Sequence, residues 1–158
     1  TLEDPGAYAA HFVKTYYEST MKEYLYVAKD IDAALEAAAA LIKLDPLWSP
    51  SYGEKAEVHY AAKQFEAAAE SWETAGRCGP PYVGHHYFAA AQAWEAAGWP
   101  ERALEIYTGL TELDPHVDSV RTRGGALAAQ LGADGEMFHA PPSPEPARSA
   151  GEAASSPR

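Results

Sequence analysis

Three prolines at almost equal intervals constrain the fold of this chain more than any other sequence feature. Pro46, Pro80 and Pro115 are separated by 34 and then 35 residues. Each follows a stretch whose apolar residues recur at helical spacing. Proline ends a helix because it lacks an N–H and disfavours helical backbone in the residue before it. A fixed period near 34 residues with two helices in each unit is typical of a helical repeat protein.

The segments that precede these prolines align column by column. They read IDAALEAAAALIKLDP, FEAAAESWETAGRCGP and PERALEIYTGLTELDP, at residues 31–46, 65–80 and 100–115. One column is alanine throughout (Ala34, Ala68 and Ala103), and another holds the aromatic residues Trp72 and Tyr107. Small residues at a fixed position predict a close approach of two helices, since a large side chain there would push the pair apart. No alternating strand pattern or hairpin dipeptide accompanies them.

The 34-residue period, the ALEIYTGLTELDP-type second helix and the aromatic-x-x-Ala spacing resemble tetratricopeptide repeats (TPRs). This resemblance implies an all-α superhelical solenoid of three helix hairpins with a C-terminal capping helix. The units run through residues 15–48, 49–82 and 83–117, and the cap through 117–131. The family expects a small residue at position eight of each unit, where Ala56, Ala91 and, in the cap, Gly125 stand. Lys22 departs from that rule, so we expect the first helix of repeat 1 to pack differently or to run longer.

Both ends of the chain carry further signals. Residues Ala7–Ala28 read as one long helix, and Asp118 and Gly132 as the N-cap and the C-terminal stop of the capping helix. We therefore predict a TPR domain over residues 1–132. Residues 133–158 are rich in proline, serine and alanine and bury too little apolar surface to offset their ordering entropy. We expect them to form a disordered tail.

Charge restricts the class of partner. Acidic residues outnumber basic ones by 23 to 12, which gives a formal net charge of −11. Such a surface repels phosphate, so neither nucleic acid nor an anionic membrane is an expected partner. The longest strictly apolar run, Ala37–Ile42, is far shorter than the ~18 residues of a membrane span. Because Cys78 is the single cysteine, no internal disulfide is expected, and the sequence predicts a cytoplasmic protein.

The TPR resemblance also implies a working surface, because positions 2, 5, 9 and 12 of each first helix point into a concave groove. Three of the twelve residues at these positions, Ser19, Pro50 and Gly53, are not among the candidates for partner binding. Aromatic rings there would grip a peptide at low entropic cost, and carboxylates would favour Lys or Arg in the partner. The alternative is that the tyrosines simply pack. The candidate partner-binding residues are Tyr16, Glu23, Tyr26, Glu57, Tyr60, His85, Phe88, Gln92 and Glu95.

One known use of TPR domains is excluded by the residues present. Co-chaperones that hold the acidic C-terminus of heat-shock chaperones use a clamp of Lys, Asn and Arg. The matching positions here are occupied by Ser19, Glu23, Glu54, His85 and Ala89. The two glutamates would repel a carboxylate, so the expected ligand is instead a protein segment that is apolar with basic flanks.

Two narrower functions stay open. Chaperones of type III secretion translocators are small, acidic, three-repeat TPR proteins whose third repeat opens with a Phe-x-Ala-Ala-acid/amide pattern. Phe88, Ala90, Ala91 and Gln92 resemble it, although the family's N-terminal helical extension is lacking and a Pro-Ser tail is added. The other reading is a structural scaffold, a homo-oligomer that stacks through exposed terminal helix faces.

Enzyme motifs are absent from the sequence. It contains no nucleophile elbow, no P-loop and no glycine-rich dinucleotide turn. His85 and His86 are adjacent, so on a helix they point about 100° apart and do not readily bind one metal. We therefore expect a non-catalytic adaptor or chaperone that has no cofactor and no metal.

Overall fold

Seven α-helices make up most of the part of the chain that the structure, a computed structural model, describes: residues 5–141, with side chains from residue 10 onward. They are α1 (Pro5–Lys22), α2 (Ile31–Leu44), α3 (Ser49–Ala61), α4 (Phe65–Cys78), α5 (Val83–Ala97), α6 (Pro100–Leu113) and α7 (Asp118–Leu131). A π-helical segment, Glu23–Ala28, continues α1, and a 3₁₀ turn, Glu136–Phe138, follows α7. No strand occurs between residues 5 and 141. Most of the predicted tail, residues 142–158, lies outside the described residues.

The periodic prolines mark helix ends, as predicted. Helices α2, α4 and α6 stop at Leu44, Cys78 and Leu113, each two residues before its proline. Every helix packs mainly against the helices before and after it in sequence. The predicted array of helix hairpins is therefore confirmed, with α1 and α2, α3 and α4, and α5 and α6 as the three pairs.

The predicted alanine columns lie where helices meet. Ala34, Ala68 and Ala103 have no exposed surface, and neither do Ala56 and Ala91 at position eight. Because the interior is close-packed, a larger side chain at any of these positions would force helices apart. The sequence therefore predicted correctly that these alanines are buried in the packed interior.

The first repeat packs differently from the others, as the departure at Lys22 predicts. Met21 is wholly buried in the place of position eight, while the Lys22 side chain is 52% exposed and lies 3.6 Å from Glu54 of α3. The helix then continues as a π-helical segment, whose i→i+5 bonding adds a residue to the turn. Residues 5–28 thus form one continuous helical stretch, which ends at Lys29 in the left-handed region (φ +54°).

Helix α1 extends beyond the helix next to it. The Lys14 ammonium lies 3.9 Å from the centre of the Trp48 ring, immediately before α3 begins at Ser49. Because α1 begins at Pro5, about nine of its residues precede this level, or roughly 13 Å of helix. We call residues 5–13 the overhang. Among its described side chains, Phe12 is 66% exposed and Val13 38%.

The second and third repeats meet around Trp94, which is wholly buried on α5. Its indole Nε1 donates a 2.6 Å hydrogen bond to Glu73 of α4, and the Arg102 guanidinium of α6 stacks 3.8 Å from the ring centre. Glu73 also pairs with Arg77 and Arg102. One tryptophan therefore joins three consecutive helices, and its N–H, which would be costly to bury alone, is satisfied.

The C-terminal end is covered by α7 and by Phe138, which is only 5% exposed. The Phe138 ring lies on Gly124, where an added Cβ would come within 2.3 Å of the ring; at Gly125 the nearest atom would be 3.3 Å away. Gly124 therefore makes the close contact, rather than Gly125 as the repeat pattern predicts. Since the chain packs back on α7 through residue 138, the start of the tail predicted at residue 133 lies within the packed fold.

Of the two predicted ends of α7, only the C-terminal one is confirmed. Gly132 stops the helix in the left-handed region (φ +66°), as predicted. The predicted N-cap was wrong by one residue: Val117, with extended backbone, is the cap, and its carbonyl accepts from the Arg121 N–H. Asp118 is instead the first helical residue, where its carboxylate pairs with the Arg121 side chain.

Candidate functional site

The first helices of the repeats lie side by side. Tyr26 of the π-helical segment donates to Glu57 of α3, and Glu95 of α5 accepts from Arg123 of α7. We call the nine candidate partner-binding residues on these helices the A-helix face. Its members are Tyr16, Glu23, Tyr26, Glu57, Tyr60, His85, Phe88, Gln92 and Glu95.

Exposure of the A-helix face falls from the first repeat to the third. Tyr16 and Tyr26 are both 60% exposed, and Tyr60 is 41% exposed. In contrast, Phe88 and Gln92 are half-buried on α5. Glu23 and Glu57 of the first two repeats are exposed and Glu95 of the third is half-buried, whereas His85 of the third repeat is exposed and is an exception. Ring surface for a partner is therefore concentrated on the first two repeats.

An acidic cluster lies between the first two repeats. The Tyr26 hydroxyl donates a 3.3 Å hydrogen bond to Glu57, and burial together with this carboxylate raises the pKa of Tyr26. Close by, the pKa of Glu54 is raised, first by burial and then by the charge of Glu57, although Lys22 partly offsets both. One carboxylate oxygen of Glu54 is buried without a hydrogen-bond partner. Glu54 and Glu57 therefore share this region with the ammonium group of Lys22, which lies 3.6 Å from Glu54.

Tyr60 belongs to the A-helix face and also packs against other aromatic residues of repeat 2. Its ring meets Phe65 edge-on at 5.0 Å and Trp72 at 5.6 Å between ring centres. Aromatic pairs in such geometry add stability beyond the area that they bury. The alternative that tyrosines simply pack thus applies in part to Tyr60, whereas Tyr26 contacts Glu57 mainly through its hydroxyl.

Glu95 is engaged within the molecule. Its carboxylate accepts a 2.6 Å hydrogen bond from the wholly buried Tyr107 of α6 and a 3.2 Å bond from Arg123 of α7. Burial raises the pKa of Tyr107, and its hydrogen bond to Glu95 adds to this. Glu95 thus has a structural role, the joining of α5, α6 and α7, and its role in setting the charge of the groove stays a prediction.

The two adjacent histidines point to different environments. His85 is exposed, while His86 is 4% exposed and packs where a Cβ on Gly53 would lie 3.1 Å from its Nε2. Gly53 is therefore a helix contact, not the groove-lining position that the repeat pattern predicts. Burial lowers the pKa of His86, whose Nδ1 has no hydrogen-bond partner.

Phe88 and His85 border an apolar pocket of about 410 Å³ at the junction of α5, α6 and α7. The Phe88 ring centre is 5.9 Å from that of Tyr107, so one side of the ring belongs to the core. We call this cavity the end pocket. Its principal lining residues are His85, Phe88, Leu110, Leu113, Asp114 and Val117.

Sequence reasoning missed several members of these clusters. The sequence identified Glu54 only as a residue that would repel a carboxylate, and Tyr107 only as an aromatic residue in an aligned column. Arg123 was not considered, since it lies 28 residues from Glu95 and no local pattern links the two. Lys22 differs, because it stands where the repeat pattern has a small residue. That departure was the one feature of the sequence that could have pointed to its ion pair with Glu54.

The described residues form neither a metal-binding group nor a membrane-spanning helix. Between residues 10 and 141, no three or more His, Cys, Asp and Glu side chains are grouped so that they could hold a metal ion. None of the described helices combines the length and the apolar character needed to cross a membrane.

The fold is similar to solved TPR structures. The first TPR domain of Spaghetti (RPAP3), bound to the HSP90 peptide SRMEEVD, matches with a TM-score of 0.61 at 18% identity, over 76% of this chain and 96% of that domain. MamA matches with a TM-score of 0.64 at 15% identity, over 79% of this chain and 71% of MamA. YrrB, a TPR protein with an unusual peptide-binding site, matches with a TM-score of 0.58 at 20% identity, over 73% of this chain and 59% of YrrB. No protein-family model and no curated protein matches the sequence. The chain therefore has the TPR fold predicted from its sequence.

Proposed function

We propose that this chain is a non-catalytic interaction module that holds a peptide segment of a partner protein on its A-helix face. The partner segment carries an apolar or aromatic anchor next to a lysine or arginine. The acidic cluster between the first two repeats is the observation that carries the proposal. A cation placed there would relieve the repulsion between Glu54 and Glu57.

The exposed rings beside this cluster supply the apolar part of the site. Tyr26, which is hydrogen-bonded to Glu57, and Tyr16, ten residues before it, are both 60% exposed. Exposed tyrosines offer large contact areas and lose little conformational entropy on binding. A neighbouring carboxylate adds specificity and speeds association with a basic partner.

An acidic chaperone tail of the kind named in the RPAP3 structure is a poor ligand for this surface. Glu54 and Glu57 lie between the first two repeats, and the nearest cation, Lys22, is already paired with Glu54. A type III secretion translocator chaperone would be one specific form of the proposed function. None of the similar structures named above is such a chaperone, so we keep the proposal at peptide binding.

The test is a peptide array probed with the full chain, in which apolar-aromatic peptides carry Lys, Arg, Glu or no charge at each position. We expect binding to peptides with Lys or Arg, and at least a tenfold loss of affinity in the Tyr26→Ala variant. Tyr26→Phe keeps the ring and should retain most of the affinity. Tyr24→Ala, at a neighbouring ring that is 39% exposed, is the matched control. Preference for acidic peptides, or full affinity in Tyr26→Ala, would contradict the proposal.

A further inference from the structure

The proposed peptide site already contains a cation that belongs to the chain itself. The Lys22 ammonium lies 3.6 Å from Oε1 of Glu54, in the acidic cluster where a partner's lysine or arginine is proposed to bind. Packing does not require a lysine there, because Met21 is the wholly buried residue that takes the place of position eight in this repeat. A function for the Lys22 charge is therefore to be sought in the site itself.

The contact between Lys22 and Glu54 is one that a ligand can replace. Its 3.6 Å length exceeds the roughly 2.7–3.2 Å of a hydrogen bond between nitrogen and oxygen. The Lys22 side chain is 52% exposed, so the ammonium reaches solvent by a rotation of the side chain alone. Ion pairs of such exposed side chains add little to the stability of a fold. The ammonium can thus leave Glu54 without a change in the packing of α1 or α3.

The backbone that carries Lys22 is, in contrast, held in place. Met21 before it has no exposed surface, and Leu25 in the π-helical segment after it is only 5% exposed. Both pack in one apolar cluster with residues of α2 and α3. The Lys22 side chain therefore always starts from the same point beside Glu54. A charged group tethered in this way competes with a free ligand at a high effective concentration.

Lys22 and an incoming cation need the same atom of Glu54. The other carboxylate oxygen, Oε2, is buried and has no hydrogen-bond partner, so a cation from solvent approaches through Oε1. The pKa of Glu54 is raised by burial and then by Glu57, and Glu18 adds to this, while Lys22 lowers it. Three carboxylates thus act on one ammonium, and the cluster keeps a negative charge that attracts a cationic partner.

We propose that Lys22 is a built-in competitor of the partner's cation. In the free protein its ammonium occupies the position beside Oε1 of Glu54, and it leaves when a lysine or arginine of the partner binds there. This competition lowers the affinity for every basic segment, so that stable binding also requires apolar anchors that fit the exposed tyrosines. The inference rests on the proposed function, because it concerns the regulation of the same site.

The test compares variants of the full chain by isothermal titration calorimetry with two peptides. The first is a lysine-containing peptide from the array, and the second has norleucine in place of that lysine. In Lys22→Met, we expect the affinity for the lysine peptide to rise at least about threefold and that for the norleucine peptide to stay the same. Lys22→Arg keeps the charge and should show no gain. Lys43→Met makes the same change in net charge in the last turn of α2 and should leave both affinities unchanged.

The outcomes separate this inference from the peptide proposal. A natural chain that binds both peptides equally well would contradict the proposed function. A natural chain that prefers the lysine peptide, together with no gain in Lys22→Met, would overturn only the competition. A gain for both peptides would also overturn it, because the methionine would then add apolar contact instead of removing a competitor. An equal gain in Lys43→Met would do the same, because net charge alone would explain it.

A second measurement needs no peptide. Carbon-13 NMR of the Glu54 carboxyl group follows its pKa in the free chain, where Glu57, Glu18 and Lys22 act on it. Because Lys22 lowers this pKa, we expect a higher value in Lys22→Met than in the natural chain, and an unchanged value in Lys43→Met. The same pKa in Lys22→Met and the natural chain would mean that the ammonium does not occupy the position beside Glu54, and the inference would fall whatever the peptides do.

Discussion

The C-terminal end of the helix array is closed, whereas the N-terminal end is open. At the C-terminal end, α7 covers the third repeat and Phe138, 5% exposed, closes the contact against Gly124. At the N-terminal end, α1 runs past its neighbour and exposes Phe12 to 66%. Terminal helices of a repeat array must be capped by a polar outer face, because each repeat buries its apolar face only on its neighbours. The comparison indicates that the overhang is held by fewer internal contacts than the capping helix.

The same contrast holds for the carboxylates of the A-helix face. Glu95, near the closed end, is fully engaged with Tyr107 and Arg123. Glu54, near the open end, has one buried oxygen without a partner and a raised pKa. A satisfied carboxylate stabilises the fold, while an unsatisfied one reduces stability and favours a cationic ligand. We therefore propose that Glu95 has a structural role and that binding involves the region of Glu54 and Glu57.

The largest expected effect comes from making one substitution at both ends. Phe138→Ala removes a buried ring and should lower the free energy of unfolding by about 3 kcal/mol. Phe12→Ala removes an exposed ring and should change it by less than about 0.5 kcal/mol. Urea denaturation of dilute protein, followed by circular dichroism, measures both values. Equal losses in the two variants would mean that the N-terminal end is as closed as the C-terminal end.

A smaller effect of opposite sign is expected for the two glutamates. At pH 7, Glu95→Gln should lower the free energy of unfolding by about 1 kcal/mol, because it weakens charged hydrogen bonds to Tyr107 and Arg123. Glu54→Gln should leave stability unchanged or increase it, because the folded state disfavours the charged form of Glu54.

The pH dependence provides a check on this pair of variants. The pKa of Glu54 is raised on folding above its ordinary value of 4.5, so the folded state binds the proton more tightly than the unfolded state. The stabilisation by this proton is present below pH 4.5 and is lost as the pH rises through the raised value. Glu54→Gln should therefore lose less stability than the natural chain between pH 4 and pH 7. An identical pH profile in the two proteins would contradict the assignment.

The sequence predicted the features that repeat more completely than those that occur once. Proline spacing and alanine columns are set by the packing of every unit, so Ala34, Ala68 and Ala103 were placed correctly without a structure. Phe138 is a single aromatic residue at the edge of a polar segment, and its packing depends on the space above Gly124, which no periodicity encodes. The bond between Glu95 and Arg123 joins residues 28 apart on different helices, so only the folded arrangement brings them together.

The most direct test of the difference between the two ends is native-state hydrogen exchange of dilute, ligand-free protein, measured by mass spectrometry. Helices without tertiary contacts open at little cost, whereas packed helices exchange only through larger unfolding events. We predict that amides in residues 10–16 of α1 exchange at least a hundredfold faster than those in residues 121–128 of α7. Equal protection of the two segments would contradict the account.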